Sequence, residues 1–198
     1  VQVKCIDSTG TGCQKDIYTQ LFYDDAKASL IKIADNSGNE GDCYADTYID
    51  VTPPSTPVIK NPYENTWTNK SFSLEITSTD DTSGIAYFEY RYPNSTGKDS
   101  AGNLESEWHK YEDSAKEPGD KTPFVTTPFS KERAEEVEIR ACDRAGNCSV
   151  SSKSMIKIDK TAPTCTVTRS VATPNGLNDW YTVNVGLTLS TTDPIGTS

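Results

Sequence analysis

The sequence predicts an all-β protein built as a tandem array of small sandwiches, and three observations carry that prediction. First, a phrase recurs at the spacing of one small domain. Asp35-Asn36-Ser37-Gly38-Asn39, followed by Ile49-Asp50-Val51-Thr52-Pro53-Pro54, returns as Asp143-Arg144-Ala145-Gly146-Asn147, followed by Ile158-Asp159-Lys160-Thr161-Ala162-Pro163. The glycines lie 108 residues apart (146 − 38) and the isoleucines 109 apart (158 − 49). Self-similarity at a fixed period marks a repeat architecture. Second, several short runs alternate apolar with polar residues, the pattern of a strand buried on one face. Third, Gly, Asn, Asp, Ser and Pro fill the gaps between those runs, as turn chemistry requires.

The repeats divide the chain into an incomplete unit at 1–51, a complete one at 52–160 and the start of another at 161–198. The first unit opens on a strand, Val1–Ile6, and an acidic turn, Asp7–Gly12. The complete unit has Trp67, a strand at Phe72–Ile76 and an acidic turn at Asp80-Asp81-Thr82-Ser83-Gly84. An aromatic strand follows at Ala86–Tyr92, which β propensity favours. An insert, Pro93–Asp120, is expected to form a hairpin and loop with Trp108 and Tyr111 packed at its base. Ser130–Glu136 alone reads as helical. Alternation resumes at Glu136–Ala141 and again at Ser154–Asp159. About seven short strands in roughly 100 residues is the count of an immunoglobulin-type sandwich. The last unit repeats the opening frame with Trp180, the strand Val183–Leu189 and the turn Thr192–Gly196. Two strands alone are marginal in water. The two partial units are roughly complementary halves, so pairing between neighbouring molecules by strand donation is expected of them. Pro-containing phrases at 52–57 and 161–163 read as linkers, because Pro keeps a joint extended and ends pairing.

Composition excludes several functions. Asp and Glu total 29 against 19 Lys and Arg, a net charge of −10. A nucleic-acid or anionic-lipid partner needs the opposite sign. No apolar run approaches the length of a membrane span. Six cysteines stand at 5, 13, 43, 142, 148 and 165. Cys5 with Cys13, and Cys142 with Cys148, bracket turns, and cysteines across a hairpin turn can come close enough for a disulfide. Such pairs on acidic β-units favour an oxidising, extracellular compartment. Zinc is the rival reading, with no C-x-x-C and a single histidine, His109, to support it. Cys43 and Cys165 are left over.

The opening Thr-x-Pro, a Trp before the second strand, Ser83-Gly84-Ile85 before the third and D-x-A-G-N before the last strand resemble, in that order, the bacterial immunoglobulin-like repeats. Those repeats build stalks of large secreted and cell-wall-anchored proteins, adhesins among them. The resemblance implies tandem sandwiches in an extended extracellular rod. It implies no catalysis, and its partners would be neighbouring repeats and a surface ligand such as a host glycan or protein. The first unit departs from the pattern, with Ala34 where Cys142 stands.

Two readings stay open for the D-x-x-G-N phrases. One is a hairpin turn, in which Asp caps the loop, Gly takes a positive φ and Asn bonds locally. A third copy at Asp99–Asn103, outside the repeat frame, fits that reading. The other is Ca2+, which some bacterial immunoglobulin-like adhesin repeats hold near their junctions. Calcium needs several hard oxygens converging at about 2.4 Å. The candidates are Asp143 with Asp159 at one pole of the complete unit, Asp35 with Asp50 in the first, and Asp80 with Asp81 approaching across a linker. His109 reads as a surface strand residue, without a G-x-S-x-G to accompany it. Adjacent carboxylates such as Glu135 and Glu136 point to opposite faces of a strand and make poor acid/base pairs. The aromatic strand puts Phe88, Tyr90 and Tyr92 on one face and Tyr87 on the other. Were Tyr87 and Trp108 exposed, a carbohydrate platform would be a second function. An accessory region of a secreted enzyme is a third.

Overall fold

The computed structural model describes residues 2–8, 10–21, 25, 29–45 and 47–194, so parts of the two outer acidic turns lie outside the described residues. Every regular element among the described residues is a strand, and no helix there is long and apolar enough to cross a membrane. Residues before the 52–57 phrase form β1 (Gln2–Lys4) paired with β2 (Ile17–Thr19), and β3 (Ser29–Ala34) paired with β4 (Glu40–Ala45). The Cys5–Cys13 disulfide closes the first acidic turn. Backbone bonds from Gln14 to Ala34 and from Asn36 to Gly12 tie that turn to the β3–β4 hairpin.

The next seven strands make a sandwich. One sheet runs β11 (Ser152–Ile158), β10 (Arg133–Asp143), β7 (Ile85–Arg91), β8 (His109–Lys110); the other runs β5 (Val58–Lys60), β6 (Glu75–Thr77), β9 (Phe124–Val125). All pairings are antiparallel. The expected alternation sets the core. Val137, Ile139 and Ala141 of β10 and Ile156 and Ile158 of β11 point inward and are fully buried. They meet Phe88 of β7, with Leu74 and Ile76 from the facing sheet. Phe88 stacks on Phe124 of β9 at 5.6 Å, and Tyr63 meets Phe72 edge-on at 5.2 Å. Each such side chain contributes about 1.5–3 kcal/mol on leaving water. The hairpin β12 (Thr164–Arg169) and β13 (Leu187–Thr192) ends the chain, with every residue of both strands exposed.

Three expectations need correction. Residues 130–136 are not helical: β10 begins at Arg133 and pairs with β11 from Arg133 opposite Ile158 onward. The helix-favouring Glu and Ala there yield to a ladder that buries the same strand further on. At 72–76 the ladder starts only at Glu75. Phe72 makes a single bridge to Phe129, and Leu74 N–H bonds the Thr126 hydroxyl at 3.0 Å. The strand expected at Val183–Leu189 begins at Leu187 and runs to Thr192.

The insert does carry a short strand, β8, on the edge of β7. Its two aromatics part company, however. Tyr111 joins the core, whereas Trp108 lies over the outer face of the sheet. The Cys142–Cys148 disulfide closes the β10–β11 turn. Closing so short a loop stabilises by roughly 2 kcal/mol in the chain-entropy account.

Candidate functional site: the acidic junction

The three D-x-x-G-N phrases fold alike. In each, one carboxylate oxygen of the Asp accepts backbone N–H groups: Ser37 and Asn39 on Asp35, Ala101 and Asn103 on Asp99, Gly146 and Asn147 on Asp143, all at 2.7–2.9 Å. The other oxygen accepts the Asn side-chain amide, at 2.7, 3.2 and 2.8 Å respectively. Gly38, Gly102 and Gly146 all take positive φ. Hydrogen bonds to the charged form lower a carboxyl pKa. The amide and N–H of Asn39 hold Asp35 below the usual range, and those of Asn103 do the same for Asp99.

Among the described residues, the Asp143 copy is the one that joins a cluster of three carboxylates. Asp50, Asp80 and Asp143 each offer an oxygen within 4.8 Å of the others, and Asp80 and Asp143 are buried. Asp80 arrives on the acidic turn before β7. Its Oδ1 accepts N–H from Thr82, Ser83 and Gly84 at 3.1, 2.9 and 2.7 Å. Asp50 arrives from the segment that follows β4, just before the 52–57 phrase. Ser83 N–H donates to its Oδ2 at 3.1 Å, and Asn147 Nδ2 donates to its carbonyl oxygen at 3.1 Å. Asp25, which carries no sequence signal, completes the joint by accepting Val51 N–H and the hydroxyls of Thr52 and Thr82. The Val51 bond leads in holding Asp25 below the usual carboxylate range. Arg144 caps the rim, donating to Ser83 O and to Glu117, each at 2.7 Å.

The remaining candidates stand elsewhere. Asp143 and Asp159 do not share a pole. Asp143 sits in the β10–β11 turn, and the register that sets Arg133 opposite Ile158 carries Asp159 to the far end of the eleven-residue β10. The same hairpin logic separates Asp35, in the β3–β4 turn, from Asp50, which follows β4. Asp81 is exposed and outside the carboxylate cluster. A second cluster, Glu89 with Cys142 and Cys148, has its sulfurs bound to each other.

The outer face of the four-stranded sheet is a charge ladder. Arg140 bonds Glu89 and Arg91 bonds Glu138, each pair at 2.7 Å, and Lys153 reaches Glu138 at 3.1 Å. The Arg91 and Arg140 guanidinium carbons lie 4.5 and 4.3 Å from the Trp108 ring centre, and Lys110 Nζ lies 3.7 Å from that of Tyr87. Cations thus occupy the two rings that a sugar platform needed bare. Burial pushes the Glu138 carboxyl upward, but Arg91 and Lys153 outweigh it and hold the group below its usual range. A folded pKa below the unfolded one stabilises above the unfolded value, and that stability is lost as pH falls. Glu138→Gln is expected to lower the urea midpoint at pH 7 and to narrow the gap from wild type towards pH 3.

His109 has a neighbour at each ring nitrogen. Nε2 lies 2.8 Å from Leu104 O, Nδ1 lies 3.5 Å from Asp99 Oδ2, and the ring stacks on Tyr90 at 5.5 Å. It lines a cleft of about 570 Å³ with Tyr90, Tyr111, Phe124 and Phe129, beside Arg133 and Glu105. No protein-family model matches the chain, and no curated protein matches it.

Proposed function

We infer that this chain is a structural segment of an extracellular bacterial surface protein, a non-catalytic stalk of tandem immunoglobulin-like sandwiches. The observation that carries the reading is the joint at Asp50. A residue of the first unit is hydrogen-bonded by two turns of the next, through Ser83 N–H and Asn147 Nδ2. A stalk needs its joints stiff, and short Pro-containing linkers with a bonded joint supply that stiffness. Disulfides across the first acidic turn and the β10–β11 turn guard the hairpins in an oxidising compartment. Solution scattering of the full chain tests the joint. The wild type is expected to keep one extended envelope, and Asp50→Ala is expected to broaden it. An unchanged profile in the variant would remove the joint from the mechanism.

The cleft between β8 and β9 supports a second reading, a ligand-binding sandwich. Its size and its aromatic walls, Tyr90, Tyr111, Phe124 and Phe129, suit a small saccharide better than the occupied outer face does. Retention on a glycan array, lost in Phe124→Ala, would favour it over the stalk.

A further inference from the structure

The two long sides of the sandwich differ. On one side β5 runs beside β11: the Ser152 hydroxyl donates to the Pro57 carbonyl oxygen, and Asn61 bonds Ser154 and Met155. On the other side the edge strands β8 and β9 belong to different sheets, and among the described residues no strand bridges them. The cleft of about 570 Å³ lies there, a size that suits a small ligand.

One part of the cleft is apolar. The Tyr111 ring has Tyr90 at 4.5 Å and Phe124 at 5.4 Å between ring centres, and Phe129 lines the same space. Stacked rings of this kind offer faces for the C–H side of a sugar.

The other part is polar, and its hydrogen bonds are incomplete. Tyr111 is 8% exposed, and among the described residues its buried hydroxyl has no hydrogen-bond partner. Leaving such a group unpaired forfeits the bonds it made to water. Arg133 Nη1 makes no hydrogen bond either, although a Glu135 carboxylate oxygen lies 3.2 Å from it. The guanidinium itself is fixed: Nη2 lies 3.2 Å from Glu105 Oε1, and the group sits 3.9 Å from the centre of the Tyr92 ring. Burial pushes the phenols of Tyr90, Tyr92 and Tyr111 up, so all three remain O–H donors at neutral pH.

The carboxylate acceptors here are taken. Glu105 Oε1 accepts from Arg133 and Lys131, and Oε2 accepts from the Ser95 hydroxyl at 2.8 Å. A sugar hydroxyl would bring a proton that needs an acceptor of its own. A carboxylate brings no proton, but it would set a second negative charge beside Glu105. It would also have to pass the exposed Glu112 and Asp113 on a chain of net charge −10. An amide carbonyl brings neither proton nor charge.

We propose that the cleft takes an N-acetylated amino sugar. Its acetamido carbonyl accepts from the Tyr111 hydroxyl, Arg133 Nη1 donates to a neighbouring sugar oxygen, and the acetyl methyl and the apolar ring face rest on Tyr90 and Phe124. The inference rests on the ligand-binding reading of the cleft and is independent of the Asp50 joint.

The test is a titration of the full chain, read by NMR, with the methyl glycosides of N-acetylglucosamine, N-acetylgalactosamine, glucose, galactose and glucuronic acid. At least one N-acetyl glycoside is expected to bind about tenfold more tightly than its parent hexoside, the worth of one added hydrogen bond. The glucuronide is expected to bind no better than the glucoside. Tyr111→Phe removes the hydroxyl alone. Because that hydroxyl has no partner in the free protein, the urea midpoint is expected to hold while the preference disappears and the parent hexoside still binds. Equal binding of N-acetyl glycosides and hexosides, a tighter glucuronide, a preference that survives Tyr111→Phe, or a fall in the midpoint of that variant would each overturn the acetamido assignment and leave the cleft a saccharide site. Binding of none of the five would overturn the saccharide reading of the cleft itself, and this proposal with it, so the two failures are distinguishable.

Discussion

Gly84→Ala is expected to destabilise the sandwich by about 3 kcal/mol or more, among the largest effects of any single methyl addition here. Gly84 ends the acidic turn and opens β7 with φ +77°. An L-residue in that region costs roughly 1–2 kcal/mol by itself. At Gly84 there is also no room. A Cβ would lie 2.6 Å from Lys116 O, 2.7 Å from Arg144 Nη1 and 2.8 Å from Pro118 N. Two of those three atoms are backbone, so the turn and the 116–118 loop must separate. That movement strains the Gly84 N–H bond to Asp80 at 2.7 Å and the Arg144 N–H bond to Gly84 O at 3.2 Å. Gly102→Ala is the control. Its φ is +90°, yet nothing lies within 4 Å of its Cβ, so only the conformational cost of about 1 kcal/mol remains. Urea unfolding of the two variants separates the terms. Equal midpoints would show that close approach plays no part at Gly84.

Much of this was legible in the sequence, and the reasons are local. Alternation at Glu136–Ala141 and Ser154–Asp159 found β10 and β11 because a strand buried on one face must alternate. The cysteine pairs were legible because each brackets a turn. The D-x-x-G-N geometry was legible because its bonds lie within five residues. What failed was long-range. The helix expected at 130–136 ignored the pairing that Ile158 imposes on Arg133. The Asp143–Asp159 pole overlooked that a hairpin sends its two flanking residues to opposite ends. Asp25 was invisible, since its partners Val51, Thr52 and Thr82 lie 26 to 57 residues away. Trp108 parted from Tyr111 because Arg91 and Arg140, from two other strands, give the indole a cationic seat on the outer face.

Asp80→Ala is expected to cost about 2–3 kcal/mol, because removing one buried acceptor strands the buried Gly84 N–H and weakens the turn that Thr82 and Ser83 close on it. Asp80 Oδ1 gathers three successive N–H groups, those of Thr82, Ser83 and Gly84, and the last is buried. Asp80→Asn keeps an oxygen in place and loses only the charge assistance, so about 1–2 kcal/mol is expected of it. The same geometry decides between the two readings of the cluster. Calcium needs carboxylate oxygens with free lone pairs facing one point. Here both oxygens of Asp143 already accept N–H donors, as do both oxygens of Asp50 and Oδ1 of Asp80. Those N–H donors stabilise the carboxylates without an ion, and the Arg144 guanidinium adds positive charge at the rim. Thermal melts in EDTA and in millimolar Ca2+, with Mg2+ as control, are therefore expected to coincide for the wild type. A ligand at a hundred times its Kd stabilises by about 2.7 kcal/mol, so a bound ion would be plain. A Ca2+-specific rise that Asp80→Asn removes would make the cluster a metal centre and the joint metal-stiffened. Coincident melts, with the Asp80→Ala loss intact, leave stiffness to the N–H donors that carry Asp50, Asp80 and Asp143 without an ion between them.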